Sequence, residues 1–185
     1  MKILYTLILC FFFFSVQSQS IDKYSISVKG TIDLLTDYYS EGIEVNAFSN
    51  SHLYSIGYYY GEDYEFLEDL PTEKYNQLNV LFGKYINSKN KKLRFQYQGG
   101  VGLFWATLRT DELDERDKSW LTERYITKKV STIGFPIKIG GRYILFSFLS
   151  IGIDLQCNLN FQKSIIRPML TFEIGKLRNS APQSL

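Results

Sequence analysis

The sequence predicts an all-β protein, an eight-stranded antiparallel up-and-down transmembrane β-barrel. Three observations carry that prediction. Apolar and polar residues alternate with a period of two over long stretches, and helical spacing is almost absent. The connections between those stretches are long and short in turn. An apolar leader precedes them all, as in an exported chain. The averages alone suggest something plainer: 185 residues, 45% apolar and 22% charged, a formal net charge of +2 and a mean hydropathy of −0.13. A processed chain of about 165 residues allows one ordinary domain. An aromatic fraction of 16% is too high for a disordered chain. The near-neutral charge leaves no basic footprint for nucleic acid. The mean hydropathy excludes a bundle of membrane helices but not a barrel, whose strands are only half apolar.

Met1 and Lys2 form a minimal positive start, and Ile3 to Val16 is apolar apart from Thr6 and Ser15. That core is short of the ~20 residues a spanning helix needs. Val16-Gln17-Ser18 then offers small residues at the cleavage positions. Residues 1–18 are therefore expected to be a signal peptide, with cleavage after 18 or 20, followed by a barrel domain over 19–178 and a polar tail over 179–185. Cys10 does not make a lipoprotein signal, because Leu9 precedes it and it lies inside the apolar core. Cys157 is then the only cysteine of the processed chain, so no intramolecular disulfide can form.

The strands follow in order. Tyr24, Ile26 and Val28 alternate with Ser25, Ser27 and Lys29, giving a strand over about 24–34. Weaker alternation marks 43–48, 53–61 and 76–87, the first of these being short. The clearest case is 92–108, where Leu93, Phe95, Tyr97, Gly99, Val101, Leu103 and Trp105 face one way and Arg94, Gln96, Gln98, Gly100 and Gly102 the other. Ile133, Phe135, Ile137 and Ile139 define 127–140. Leu149, Ile151, Ile153, Leu155, Cys157 and Leu159 define 143–159, against Ser150, Gly152, Asp154, Gln156 and Asn158. Ile166, Pro168, Leu170, Phe172 and Ile174 define 165–177. Most of these exceed the ~5–6 residues usual in soluble strands and meet the ~9–11 residues of a tilted membrane strand.

The connections are 35–42, 49–52, 62–75, 88–91, 109–126, 141–142 and 160–164. Such alternation suits an outer-membrane barrel with short periplasmic turns and longer extracellular loops, and places 62–75 and 109–126 outside the cell. The polar faces hold glycines 57, 83, 100, 102, 134, 152 and 175 and the charges Lys29, Glu44, Arg94, Lys138, Asp154, Arg167 and Glu173. Small residues beside opposite charges suit the narrow interior of an eight-stranded barrel, whereas glycines would weaken strands facing water. Those seven charged residues are expected to form an interior salt-bridged network. Tyr24, Tyr54, Tyr58, Tyr60, Tyr97, Trp105 and Tyr143 lie on the apolar faces near strand ends, where amphipathic rings form girdles at the bilayer boundary.

The leader, the eight alternating strands and the closing segment Pro168-Met169-Leu170-Thr171-Phe172-Glu173-Ile174-Gly175-Lys176-Leu177-Arg178 resemble the small outer-membrane β-barrel proteins of Bacteroidetes-type bacteria. Thr132-Ile133-Gly134-Phe135-Pro136-Ile137 is similar to their IG-x-P strand, and the architecture is similar to that of OmpA-type and OmpX-type barrels. The chain departs from the pattern in ending on a polar tail rather than a terminal aromatic. The resemblance implies an outer-membrane location more than an activity.

Candidate chemistry is sparse. The only histidine, His52, adjoins Ser51 and is near Ser55, but it falls at a predicted periplasmic turn with no acid beside it, so no catalytic residue is assigned. A single histidine and a single mature cysteine make no conventional zinc site, and no cofactor is expected. Asp154 and Glu173, on adjacent strands, read as members of the ionic network rather than as a catalytic pair. Glu62, Asp63, Glu65, Glu68, Asp69 and Glu73 lie in one long connection. Asp111, Glu112, Asp114, Glu115, Asp117 and Glu123 lie in the other, so these two segments hold twelve of the 19 acidic residues. They would offer a weak site for divalent cations bridging lipopolysaccharide or a surface for a basic partner. The spacing matches no EF-hand. The reading is a monomeric, non-enzymatic outer-membrane barrel in contact with lipid and lipopolysaccharide, without nucleic acid, acting structurally or through its surface. Two alternatives stand beside it: passive small-solute or ion transport through the interior, and a soluble exported lipocalin-like binding protein. The direction of the apolar faces decides the second.

Overall fold

The computed structural model describes residues 21–31, 38–63, 72–113 and 125–178. The leader and the polar tail lie outside the described residues, as do the connections 32–37, 64–71 and 114–124. Eight antiparallel strands form a closed barrel in sequence order. They are β1 Lys23–Thr31, β2 Tyr38–Ser49, β3 His52–Asp63, β4 Lys74–Asn87, β5 Leu93–Leu113, β6 Tyr125–Ile144, β7 Leu149–Leu159 and β8 Ile165–Lys176. Closure comes from β1 pairing with β8, Tyr24 standing opposite Lys176 and Ile26 opposite Ile174. The start of β1 and the end of β8 therefore lie at one end of the barrel, beside the turns β2–β3, β4–β5 and β6–β7.

Among the described residues no helix is long and apolar enough to cross a membrane. The strand faces divide instead. Leu93, Phe95, Val101, Ile151 and Ile153 point outward and are exposed, Ile153 at 59%, while Gln96, Asp154 and Glu173 point inward, Asp154 at 0%. A soluble barrel needs the reverse arrangement, so the soluble lipocalin-like alternative is overturned.

Several boundaries differ from expectation. The short strand expected at 43–48 runs from Tyr38 to Ser49, because Ser40 and Gly42 continue the inward face and Tyr39 and Glu41 the outward one. The break expected at 141–142 is absent: β6 continues through Gly140 and Gly141 to Ile144. Gly140 is a seat for Asp154, since a Cβ there would lie 1.8 Å from its Oδ1. The chain turns at 145–148 instead, with Leu145 N–H donating to Leu149 O at 3.0 Å and Phe146 stacked on Phe148. Strands β5 and β6 also run further than expected, to Leu113 and from Tyr125.

The β2–β3 hairpin turns on Asn50 and Ser51, with φ of 44° and 72°. Positive φ at both central residues is the type I′ signature, whose twist matches that of the flanking strands.

The interior is closed by an apolar layer near each end. Phe48, Leu53 and Tyr85 pack together near the start of β1, with Phe48 edge-on to Tyr85 at 5.3 Å. Tyr75, Phe104 and Ala106 pack near the opposite end, against Leu108, Val130 and Ile165.

Candidate functional site

Between those layers lies a column of buried charge. Alternation aims each member inward, and glycine on a neighbouring strand makes room for the longer ones. Nearest the start of β1, the Glu173 carboxylate accepts from Arg94 and from the Ser25 and Ser150 hydroxyls, each hydroxyl at 2.6 Å. Next, Asp154 takes Arg142 in a two-point contact at 2.8 and 2.6 Å, Lys29 at 2.9 Å and Thr171 at 3.1 Å. Glu44 then receives Lys29 at 2.9 Å, Lys138 at 2.6 Å and the Tyr59 hydroxyl at 2.5 Å. Tyr59 fits because residues 42 and 57 are glycine: a Cβ on Gly42 would lie 2.3 Å from its ring. The fourth layer is Arg167, which donates to the Tyr75 hydroxyl at 2.6 Å and to Gln77 Oε1 at 3.2 Å. Its guanidinium also lies 5.1 Å from the Tyr59 ring centre and 5.4 Å from that of Tyr75.

All seven residues expected in the interior, Lys29, Glu44, Arg94, Lys138, Asp154, Arg167 and Glu173, are buried there. Asp154 and Glu173 do not share a site. In the register Asp154 stands opposite Met169 and Glu173 opposite Ser150. Arg142, the cation that spans between them, is missed by sequence reasoning, because residues 141–142 read as a turn and cut off the even-numbered face 134, 136, 138, 140 just before it. Tyr59 and Tyr75 were missed for a related reason: tyrosine on a barrel strand reads as part of a girdle. Of the rings expected on the outer face, Tyr24, Tyr58, Tyr97, Trp105 and Tyr143 are exposed there, and Tyr54 and Tyr60 are half-buried on it.

The acidic residues expected in the loops divide four ways. Asp63, the last residue of β3, is buried and bound to Arg109, while Glu73 is buried and bound to Lys163. Glu62, also in β3, bridges to Lys74 at 3.5 Å and accepts from the Tyr60 hydroxyl. Asp111 and Glu112 belong to β5. Glu65, Glu68, Asp69, Asp114, Glu115, Asp117 and Glu123 lie outside the described residues. Asp63 and Glu73 therefore help to close the barrel end opposite the start of β1 and the end of β8. Among the described residues no group of three His, Cys, Asp or Glu side chains could hold a metal ion. His52 opens β3 beside the β2–β3 turn and stacks on Phe82.

An apolar exterior, a charged interior and eight strands closed in sequence order define a barrel of the outer-membrane type. No protein-family model matches the chain, and no curated protein matches it. Solved structures do. The N-terminal β-barrel domain of Pseudomonas aeruginosa OprF matches with a TM-score of 0.59 and 13% identity, over 85% of this chain and 99% of that one. Neisserial surface protein A (NspA) matches with a TM-score of 0.51 and 11% identity, over 83% of this chain and 90% of that one. The Yersinia pestis outer membrane protein Ail, solved in a phospholipid bilayer nanodisc, matches with a TM-score of 0.51 and 10% identity, over 83% and 98%. At these identities the shared property is the eight-stranded barrel fold.

Proposed function

We propose that this chain is an integral outer-membrane barrel, of the Bacteroidetes type its closing strand resembles, whose role is structural or one of surface interaction. The observation that carries this reading is the filled interior. The space that inward glycines would leave for a solute is taken by side chains of neighbouring strands. Gly61 seats Tyr75, Gly102 seats Asn79 and Gly134 seats Asn158, a Cβ at each lying 2.2 Å from the occupant. This weighs against passive transport, in keeping with the narrow bore of eight-stranded barrels.

A second feature supports work at the surface. Strand β5 pairs with β4 only as far as Thr107, and β6 pairs with β7 only from Phe135. Residues 108–113 and 125–128 therefore extend as a two-stranded ribbon beyond both neighbours, at the end opposite the start of β1 and the end of β8. In the proposed orientation that end is extracellular, and the ribbon carries the segment holding Asp114, Glu115 and Asp117. Acidic loops would bind a basic partner, or divalent cations on lipopolysaccharide phosphates.

An epitope inserted after Asp117 tests the orientation. Antibody should bind intact cells without permeabilisation, and binding only after permeabilisation would reverse the assignment. Purified protein in planar bilayers should show no unitary conductance. Stable ion-selective openings would replace this reading with transport.

A further inference from the structure

The charged column is not electrically balanced. Between the two apolar layers lie five buried cations, Lys29, Arg94, Lys138, Arg142 and Arg167, and three buried carboxylates, Glu44, Asp154 and Glu173. The excess is two positive charges. Asp63 and Glu73 do not offset it, because they sit at the outer mouth and hold Arg109 and Lys163. The three interior carboxylates are committed to Lys29, Lys138, Arg94 and Arg142. Among the described residues no carboxylate lies within salt-bridge distance of Arg167. An uncompensated buried charge is strongly unfavourable.

Unpartnered hydrogen-bonding groups gather at the same level. Gln156 is 1% exposed, and neither end of its amide has a partner. It stands directly opposite Arg167 on β8 and directly opposite Lys138 on β6. Cross-strand neighbours on one face approach within ~4.5–5.5 Å at Cβ, so this amide lies between two cations. The Nε of Arg167 and the Nε2 of Gln77 are also buried without a partner. Gln77 is tied to Arg167 through its Oε1 at 3.2 Å, which keeps its amino group in the same neighbourhood.

We propose that the barrel holds one small monovalent inorganic anion, of the halide class, among Arg167, Gln156 and Gln77, beneath the outer mouth. A halide accepts N–H donors from several directions without a fixed geometry, so three donors from three strands suffice. A larger oxyanion brings several oxygens, each needing its own donor, into a bore already filled by Tyr59 and Tyr75. The anion removes one of the two excess charges and partners the donors that the protein leaves free.

The test uses the full mature chain, purified in detergent and refolded in potassium bromide. Crystals should show an anomalous bromine peak within hydrogen-bond reach of Arg167 Nε and the Gln156 amide. Water there, or bromide only at the barrel surface, would overturn the proposal. In solution, the melting midpoint should be higher in potassium chloride than in potassium gluconate of equal ionic strength, and the increment should saturate. At chloride ~100 times its dissociation constant, the folded-to-unfolded ratio rises about 100-fold. Arg167→Met should abolish the chloride increment, read as the difference between the chloride and gluconate midpoints of the same variant. An undiminished increment in that variant would refute the site, as would a larger increment from sulfate. Should Arg167→Met fail to refold, Gln156→Leu, which alters no charge, should lose most of the same increment.

Discussion

Replacing Glu44 by Met tests the ionic column where two lysines and a tyrosine meet on one carboxylate. Glu44 is fully buried and receives Lys29 at 2.9 Å, Lys138 at 2.6 Å and the Tyr59 hydroxyl at 2.5 Å. Removing the carboxylate leaves Lys29 its second partner, Asp154, at 2.9 Å. Lys138 loses its one carboxylate among the described residues, and the interior excess rises from two positive charges to three. Breaking a buried pair from one side costs about 3–5 kcal/mol, because the other charge stays buried. Glu44→Met should therefore lower the unfolding free energy by about 3–5 kcal/mol, a change of roughly two to four powers of ten in the folded-to-unfolded ratio. Lys138→Met leaves Glu44 bound to Lys29 and Tyr59 and reduces the excess to one, so its cost should be smaller, about 1–2 kcal/mol. The double variant removes both sides of the pair and should be more stable than Glu44→Met alone. Urea titration in detergent micelles, followed by tryptophan emission and by heat-modifiable gel mobility, reads all three. A Glu44→Met effect below about 1 kcal/mol, or a double variant equal to the sum of the singles, would refute the reasoning.

The outer face predicts a depth profile: Val80→Arg, midway between the outward-facing Asn76 and Lys84, should destabilise the barrel in vesicles by about 2–4 kcal/mol, and Asn76→Arg by about 0–1 kcal/mol. Ser51→Gly should stabilise by roughly 0.5–1 kcal/mol in the same titration, because Ser51 holds a φ of 72° that glycine adopts freely. Gly57→Leu should displace the Tyr59 ring, whose nearest atom would lie 2.8 Å from the new Cβ, and cost about 1–3 kcal/mol as over-packing. Cys157 faces outward from β7, so in liposomes an apolar maleimide should label it and a charged thiosulfonate should not, whereas urea-unfolded protein should react with both.

Legibility in the sequence followed the physics of burial. Where a strand crosses with an apolar outer face, alternation is strict, as from Leu93 to Trp105, and both the strand and its facing were readable. The same rule let Lys29, Glu44 and Asp154 be assigned inward, since a charge within such a stretch has nowhere else to go. Legibility failed where the outer face stops being apolar. At Glu41, and again beyond Thr107, the strand continues into polar surroundings and the period-two signal ends before the hydrogen-bond ladder does. It failed also at residues 141–142, read as a turn beside a glycine pair, whereas the strand continues and Gly140 makes room for Asp154. The true β6–β7 turn contains Leu145, Phe146 and Phe148, apolar residues that give no turn signal because an interfacial turn need not be hydrophilic. Which cation serves which carboxylate could not be read at all, because it depends on the stagger between strands, and alternation is blind to stagger.

The seating of large inward side chains over glycines on adjoining strands has a consequence for descent. Tyr59 with Gly42, Asp154 with Gly140, Asn158 with Gly134 and Asn79 with Gly102 each conserve volume across a ladder rather than at a position. Neither partner can change size alone, so related chains should exchange the bulky and the bare member together and keep their sum. Homologues too diverged to align by identity would then be recognisable by paired substitutions between neighbouring strands. Those pairs would report the register of the barrel in chains whose stagger no hydropathy pattern reveals.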